Sequence, residues 1–241
     1  YDRERLVSIL RDTNEKYGLT PESEASLDTL RRENCVTVIT GQQCGLYTGP
    51  FYTISKAITT IKVAEYLQGL LEKPVVPLFW MESSDHDYAL VNHIYFPSYR
   101  GPQKYTYGRS VTNQQPVGSI CLGEDFRTFA SKLKAVLPAN DFYDAVTRLM
   151  DETYYPGAFF GEAFGKMLTR LLGRWGLVIV DSENVELKRL ASPVITRKLE
   201  EKGRINQLML EQSEALEAEQ YERQIKVRSE LLNLFIMKDN N

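Results

Sequence analysis

The sequence predicts an α/β fold: a Rossmann-like, mostly parallel sheet with helices on both faces and one inserted segment. Three observations carry this reading. Two apolar runs, 35–40 (CVTVIT) and 74–80 (PVVPLFW), bracket a helical stretch at 51–71 and so form one βαβ unit. A third run at 176–180 closes on Asp181 after a series of helical segments, so the βα alternation resumes. With 241 residues and 43% hydrophobic content, the chain can bury one principal core without disulfides or metals.

Residues 1–34 read as a helical N-terminal cover and not as a site. Leu6, Ile9 and Leu10 share one face, and a break at 18–21 precedes a second helix ending near Arg32. The β-branched run 35–40, bounded by Asn34 and Gly41, suits a buried parallel strand. In 51–71, Phe51, Ile54, Ile58 and Ile61 fall on one helical face. The crossover should be right-handed, and ligands in such sheets sit beyond the carboxyl ends of the strands, here from Gly41 and from Met81 onward. Residues 97–123, rich in Tyr, Gly, Pro and Gln, lack a helical period and read as an insertion of turns and short strands. Helices are expected at 124–137, 141–153, 157–174 and from 184 to about 219, with 203–222 a charged helical arm. Two last strand candidates lie at 224–228 and 231–236, and the whole of 1–241 is taken as one Rossmann-like core.

Composition narrows the partners. Lys and Arg number 29 against 32 Asp and Glu, and a net charge of -3 gives no general attraction to nucleic acid or anionic membrane, so small molecules are the expected partners. No apolar run approaches the roughly 20 residues of a spanning helix, and the N-terminus has no hydrophobic signal region. Cys35, Cys44 and Cys121 form no CxxC pair and are expected as free thiols in a reducing, cytoplasmic setting. The chain begins at Tyr1 and stops soon after 231–236, so it reads as a piece of a longer protein.

Four features carry candidate chemistry. The loop Thr40-Gly41-Gln42-Gln43-Cys44-Gly45-Leu46-Tyr47-Thr48-Gly49-Pro50 places three glycines between a strand and a helix, where backbone amides can hold phosphate or carboxylate. The same spacing serves an ordinary Gly-rich βα turn equally well. It is no P-loop, because Gly49 precedes Pro50 and not a Lys-Ser or Lys-Thr pair, and the GxGxxG fingerprint is absent. Lys56, about two turns into the next helix, can reach a phosphate or stay solvated. The segment Glu82-Ser83-Ser84-Asp85-His86-Asp87-Tyr88, with Asn92 and His93, holds both histidines at the end of the second strand. An imidazole between two carboxylates can move a proton or orient an amine, a metal could use Asp85, His86, Asp87 and His93, and a capped turn would serve structure alone. No ligand spacing such as HxxxH is present, so no metal is expected. Asp181 occupies the position from which an acidic residue meets a ribose hydroxyl or caps a helix. Cys44 reads as an exposed-loop thiol beside a helix N-terminus, where its pKa could fall, but as a bystander without a nearby histidine.

Beyond spacing, the letters themselves are distinctive. VITGQQCGLYTGPFYTISKAITTIKVAEYL, then KPVVPLFWMESSDHDYALVNHI, GRWGLVIVDSENVELKRLASPVI and YERQIKVRSELLNLFIM, resemble the bacillithiol-biosynthesis cysteine-adding enzyme family across the chain. That family shows a TGQQPGL loop, a GPxYTxxKA helix start and an EDHDxxEVNH segment. The sequence departs from it at Cys44, where Pro is usual, at Ser84, where Glu precedes DHD, and at Ala89-Leu90, where acidic residues are common. The paired histidines of the related synthetase signature are also absent.

The resemblance implies a nucleotidyltransferase-like core and, beyond this chain, a C-terminal coiled coil through which a full-length homodimer forms. It implies an ATP-dependent cysteine ligase acting on glucosaminyl-malate, with ATP, with or without Mg2+, as cofactor. On that reading Thr40, Gly41, Gln42, Gln43, Gly45, Gly49 and Asp181 bind the nucleotide. Lys56, Asp85, His86 and Asp87 are catalytic, and Tyr47, Asn92 and His93 contact substrate. A non-catalytic nucleotide-binding or scaffold protein of the same fold, and a metal-dependent hydrolase built on Asp85-His86-Asp87, are the alternatives.

Overall fold

The computed structural model describes residues 2–98, 101–108 and 115–223. Two helices come first, α1 (Arg3–Tyr17) and α2 (Pro21–Leu30), started by the side chains of Asp2 and Thr20 accepting from backbone amides. Between them Gly18 takes the left-handed conformation, φ 91°, that ends α1. Three strands follow at intervals, β1 (Val36–Gln43), β2 (Val75–Glu82) and β5 (Val178–Asp181), all parallel and ordered β1-β2-β5. Helix α3 (Tyr52–Leu71) makes the first crossover. The second runs through the short α4 (Tyr88–Val91), the antiparallel pair β3 (His93–Phe96) and β4 (Gln103–Thr106), then α5 (Phe126–Lys134), α6 (Tyr143–Thr153) and α7 (Phe160–Leu172). The short α8 (Val185–Leu190) follows β5. Residues 189–241 cluster as a second unit, whose described part holds α9 (Ser192–Glu200) and α10 (Lys202–Ala218). The strand candidates at 224–228 and 231–236 lie outside the described residues.

Alternation along β2 and β5 sends side chains to two cores. Phe79, Met81 and Ile179 join Ala57 of α3 and Phe160, Phe164 and Leu168 of α7 on one face. On the other, Val76, Leu78, Val178 and Val180 meet Val7 and Leu10 of α1 and Leu27 and Leu30 of α2. The N-terminal helices are therefore one of the two layers that bury the sheet.

Two expectations need correction. The first strand is not buried on both faces: β1 is an outer strand with Val36 38% and Ile39 59% exposed, and it runs on through Gly41, Gln42 and Gln43. In α3 the buried stripe is Thr53, Ala57, Thr60 and Ala64, small residues that let the helix approach the sheet. Ile54 and Ile61 flank that stripe, while Phe51 and Ile58 are exposed. Counting isoleucines found the helix but misplaced its inner face by one position.

Candidate active site

The parallel register brings the carboxyl ends of all three strands together, with Gln43 opposite Glu82 and Met81 opposite Asp181. Each of β2 and β5 ends in an acid followed by a serine, and the pairs bond reciprocally. Ser83 donates its hydroxyl to Asp181, and Ser182 donates its own to Glu82 Oε1 at 2.9 Å. Ser182 Oγ also accepts from the amides of Ser83 and Ser84, at 3.0 and 3.1 Å. Asp181 accepts further from Tyr17 Oη at 2.7 Å and the Glu183 amide at 3.0 Å. With donors on both oxygens, Asp181 ties α1 to the ends of the two strands. Burial, with Asp181 beside it, pushes the Tyr17 hydroxyl far above its ordinary pKa and keeps it a donor.

Toward β1 the arrangement is sparser. Lys56 Nζ, half-buried on α3, donates to Gln42 Oε1 at 2.8 Å and lies 5.3 Å from the Tyr52 ring centre, while Gln42 Nε2 donates to Tyr52 Oη at 3.3 Å. Among the described residues Lys56 has no carboxylate partner. Gln43 Nε2 donates to Asp85 Oδ2, joining β1 to the turn after β2. Asp85 Oδ1 accepts the Asp87 amide at 3.1 Å, which sets the turn that starts α4. Burial alone would raise the Asp85 pKa, but the bonds from Gln43 and the turn amides hold it below the ordinary carboxylate value. Glu82 behaves likewise, held down by Ser84, Trp80 and Ser182. His86 Nδ1 is 3.8 Å from Asp85 Oδ1, and its side chain is 73% exposed, facing solvent with the exposed Asp87.

Of the remaining predicted residues, Thr40 and Gly41 are strand positions. Thr40 pairs opposite Phe79, and a Cβ on Gly41 would lie 3.0 Å from the Trp80 carbonyl oxygen and 3.1 Å from Trp80 Cβ, a tight fit that glycine relieves. Gly45 and Gly49 do not form an open cradle. They pack on each other, a Cβ on Gly45 meeting Gly49 Cα at 2.5 Å, and the Gly49 amide is taken by Leu46 O at 2.8 Å. Tyr47 packs against the aromatic core, its ring centre 4.6 Å from that of Tyr154. Cys44 is corrected too. It is fully buried, and burial, with Asp181, Glu82 and Asp85 adding to it, drives its pKa up instead of down. Asn92 and His93 belong to the β3–β4 pair: Asn92 Nδ2 donates to Tyr107 O at 3.3 Å, and the Asn92 carbonyl accepts the Tyr107 amide at 2.8 Å. Burial and nearby Lys104 lower the His93 pKa.

Tyr17 and Ser182 were not singled out from the sequence, and Glu82 and Ser83 entered only as members of the 82–88 segment, without a role. A signal was present, because Glu82-Ser83 and Asp181-Ser182 repeat one dipeptide pattern at the ends of two apolar runs. Among the described residues no group of three or more His, Cys, Asp and Glu is arranged to hold a metal ion, and no helix is long and apolar enough to cross a membrane. All three cysteines are free thiols.

Comparison with known proteins adds the family. The family described as "Bacillithiol biosynthesis BshC, N-terminal Rossmann-like domain" matches residues 1–241. Proteins named "Putative cysteine ligase BshC" are similar. That of Salinibacter ruber is 34% identical over 83% of this chain and 37% of its own length, and that of Solibacter usitatus is 34% identical over 98% and 43%. In Koribacter versatilis the figures are 31%, 98% and 44%, so the chain spans less than half the length of these relatives. With its parallel sheet and the match from end to end, the chain belongs to the bacillithiol biosynthesis BshC family, as its N-terminal Rossmann-like domain.

Proposed function

We propose that the full-length protein is an ATP-dependent ligase joining the carboxylate of cysteine to the amine of glucosaminyl-malate, with residues 40–56 and 82–87 contributing to the site. One observation carries this reading. Lys56 on α3, an ammonium without a carboxylate partner among the described residues, and the ionised Asp85 in the turn after β2 are held by two successive residues at the end of β1, Gln42 and Gln43. A site that handles both an anion and an ammonium needs this separation of charge.

Bound ATP would supply an activated form of the carboxylate. Lys56, held by Gln42, fits a phosphate or carboxylate oxygen and would neutralise its charge. A magnesium ion would arrive with the nucleotide. Asp85, fixed by Gln43 and the turn amides, would hold the acceptor as its ammonium form. His86, on the solvent side of Asp85, would take the proton that the amine sheds before attack. The test is incubation of full-length protein with ATP, cysteine and glucosaminyl-malate under mass detection. The expected result is the cysteinyl amide with stoichiometric nucleotide cleavage, and ATP consumption without amide, or neither, refutes the reading.

A further inference from the structure

Strand edges in this protein are finished unequally. At β5 the Asn14 side chain of α1 takes the place of a neighbouring strand: Nδ2 donates to Ile179 O at 2.8 Å, and Oδ1 accepts from Ile179 N at 2.9 Å. The two-stranded insertion sheet has no such closure on β4 among the described residues. The Tyr107 amide donates to Asn92 O at 2.8 Å, and this pair continues the β3–β4 register, so Tyr105 and Gln103 are the positions bonded to β3. The amides and carbonyls of Lys104 and Thr106 then turn to the free edge, where they meet no hydrogen-bond partner among the described residues. A bare edge of this kind invites pairing.

The edge borders a groove of about 470 Å³, with residues 104–108 as one wall and Asp125, Thr128, Phe129 and Lys132 as the other. Five consecutive residues line it, from both faces of the strand, so β4 meets the groove edge-on. Lys104 and Thr106 share one face of β4; Tyr105 and Tyr107 share the other, where the Tyr107 ring centre lies 5.7 Å from that of Phe129. Each wall carries one exposed lysine. Lys104 Nζ lies 5.9 Å from the Tyr95 ring centre, Lys132 stands in the last turn of α5, and neither meets a carboxylate among the described residues. The one acid of the lining, Asp125, already accepts the Tyr107 hydroxyl on Oδ1 at 2.9 Å. The adjoining sequence at 109–114, RSVTNQ, holds no acid, so the countercharge does not come from the local chain.

We propose that the groove between β4 and α5 binds an extended peptide of a partner protein, with acidic and apolar residues in alternation, as a third strand of the insertion sheet. Strand addition to a free edge beside a helix draws affinity from main-chain hydrogen bonds and specificity from alternate side chains. The outward groups of Lys104 and Thr106 supply the main-chain bonds. An added strand continues both faces of β4, so a residue opposite Lys104 meets its ammonium, and the next turns to the face of Tyr105, Tyr107 and Phe129. Acid then apolar is the alternation these two faces select. The groove lies outside residues 40–56 and 82–87, and the proposal is independent of the ligase reading.

The test is fluorescence anisotropy of labelled hexapeptides on the full-length protein. A hexapeptide alternating Glu and Val should bind saturably, and its counterpart alternating Lys and Val at least about 10-fold more weakly. N-methylation of alternate amides keeps the charge of the Glu and Val peptide, removes its strand donors and should weaken it by about 10-fold. Lys104→Glu combined with Lys132→Glu reverses charge at two exposed positions; it should weaken the same peptide by about 10-fold and leave the melting temperature within about 2 °C of wild type. No saturation by about 1 mM peptide overturns the proposal, whether the groove stays empty or the full-length chain fills it. Equal binding of the N-methylated peptide overturns it as well, since the groove then takes carboxylates and not a strand. Unchanged affinity in the double variant places the peptide elsewhere and overturns the assignment.

Discussion

The two sides of the strand-end site differ in how fully their polar groups are used. Between β2 and β5, Asp181, Glu82, Ser83, Ser182 and Tyr17 bond one another and the local amides. Toward β1, Lys56 meets only a neutral amide and a ring among the described residues, and His86 faces solvent. A carboxylate whose oxygens already accept three donors has little left for a ligand, whereas an ammonium without a counter-ion has most of its interaction energy unspent. The difference teaches that the acid at the end of a strand is not by that fact a ligand contact. Asp181 holds the sheet end together, and the thinly bonded residues are the ones we propose to act.

If that division holds, substitutions on the saturated side should act through stability. The largest loss is expected for Asp181→Ala, which strands Tyr17 Oη, removes the carboxylate acceptor of the Ser83 hydroxyl and leaves the Glu183 amide with Ser83 Oγ alone; chemical denaturation should show roughly 3–5 kcal/mol. Asn14→Leu removes both partners of the Ile179 peptide groups in a buried setting and should cost about 2–4 kcal/mol. A loss below about 1 kcal/mol at either position would break the comparison.

A smaller effect should appear as pH dependence. Cys44 lies where the two sides meet, and burial raises its pKa above the ordinary thiol value. The unfolded chain releases that proton from about pH 8.5 while the folded protein keeps it. The stabilising contribution is thus complete below that pH and declines as pH rises above it. Cys44→Ala should flatten this limb, and denaturation midpoints from pH 7 to 10 measure it. Asp85 and Glu82 act in the reverse sense: their folded pKa values are depressed, so their contribution is present above about pH 4 and lost as pH falls further.

The same division explains what could be read from the amino-acid sequence. The three strands, the parallel βαβ unit and most helices were legible because apolar runs bounded by Gly and Pro report local structure directly. Neighbours in the sheet were not, since composition does not say that β1 is outermost; hence Ile39 was expected inside and is exposed. Gln42, Gln43 and Asp85 stood out from their places beside strand ends and Lys56 from its place on the helix after the loop, and the structure joins them as two hydrogen-bonded pairs. The surroundings of Asp181, Tyr47, Cys44 and Gly49 were not legible, because they depend on partners distant in sequence or on which way a left-handed turn points its side chains. Tyr47 and Thr48 both have positive φ, 49° and 75°, and no local pattern announces that Tyr47 turns into the core.

The most direct test pairs turnover with melting temperature for Asp85→Asn in the full-length protein. The substitution keeps Oδ1 for the Asp87 amide, replaces Oδ2 by an NH2 to which Gln43 can present its own oxygen by turning its amide, and removes the charge proposed to hold the acceptor ammonium. Amide formation should fall by about 10²- to 10⁴-fold while the melting temperature stays within about 2 °C of wild type. Unchanged turnover, or a melting temperature lowered as far as in Asp181→Ala, would show that the β1 side is as structural as its neighbour and would contradict the assignment of the site.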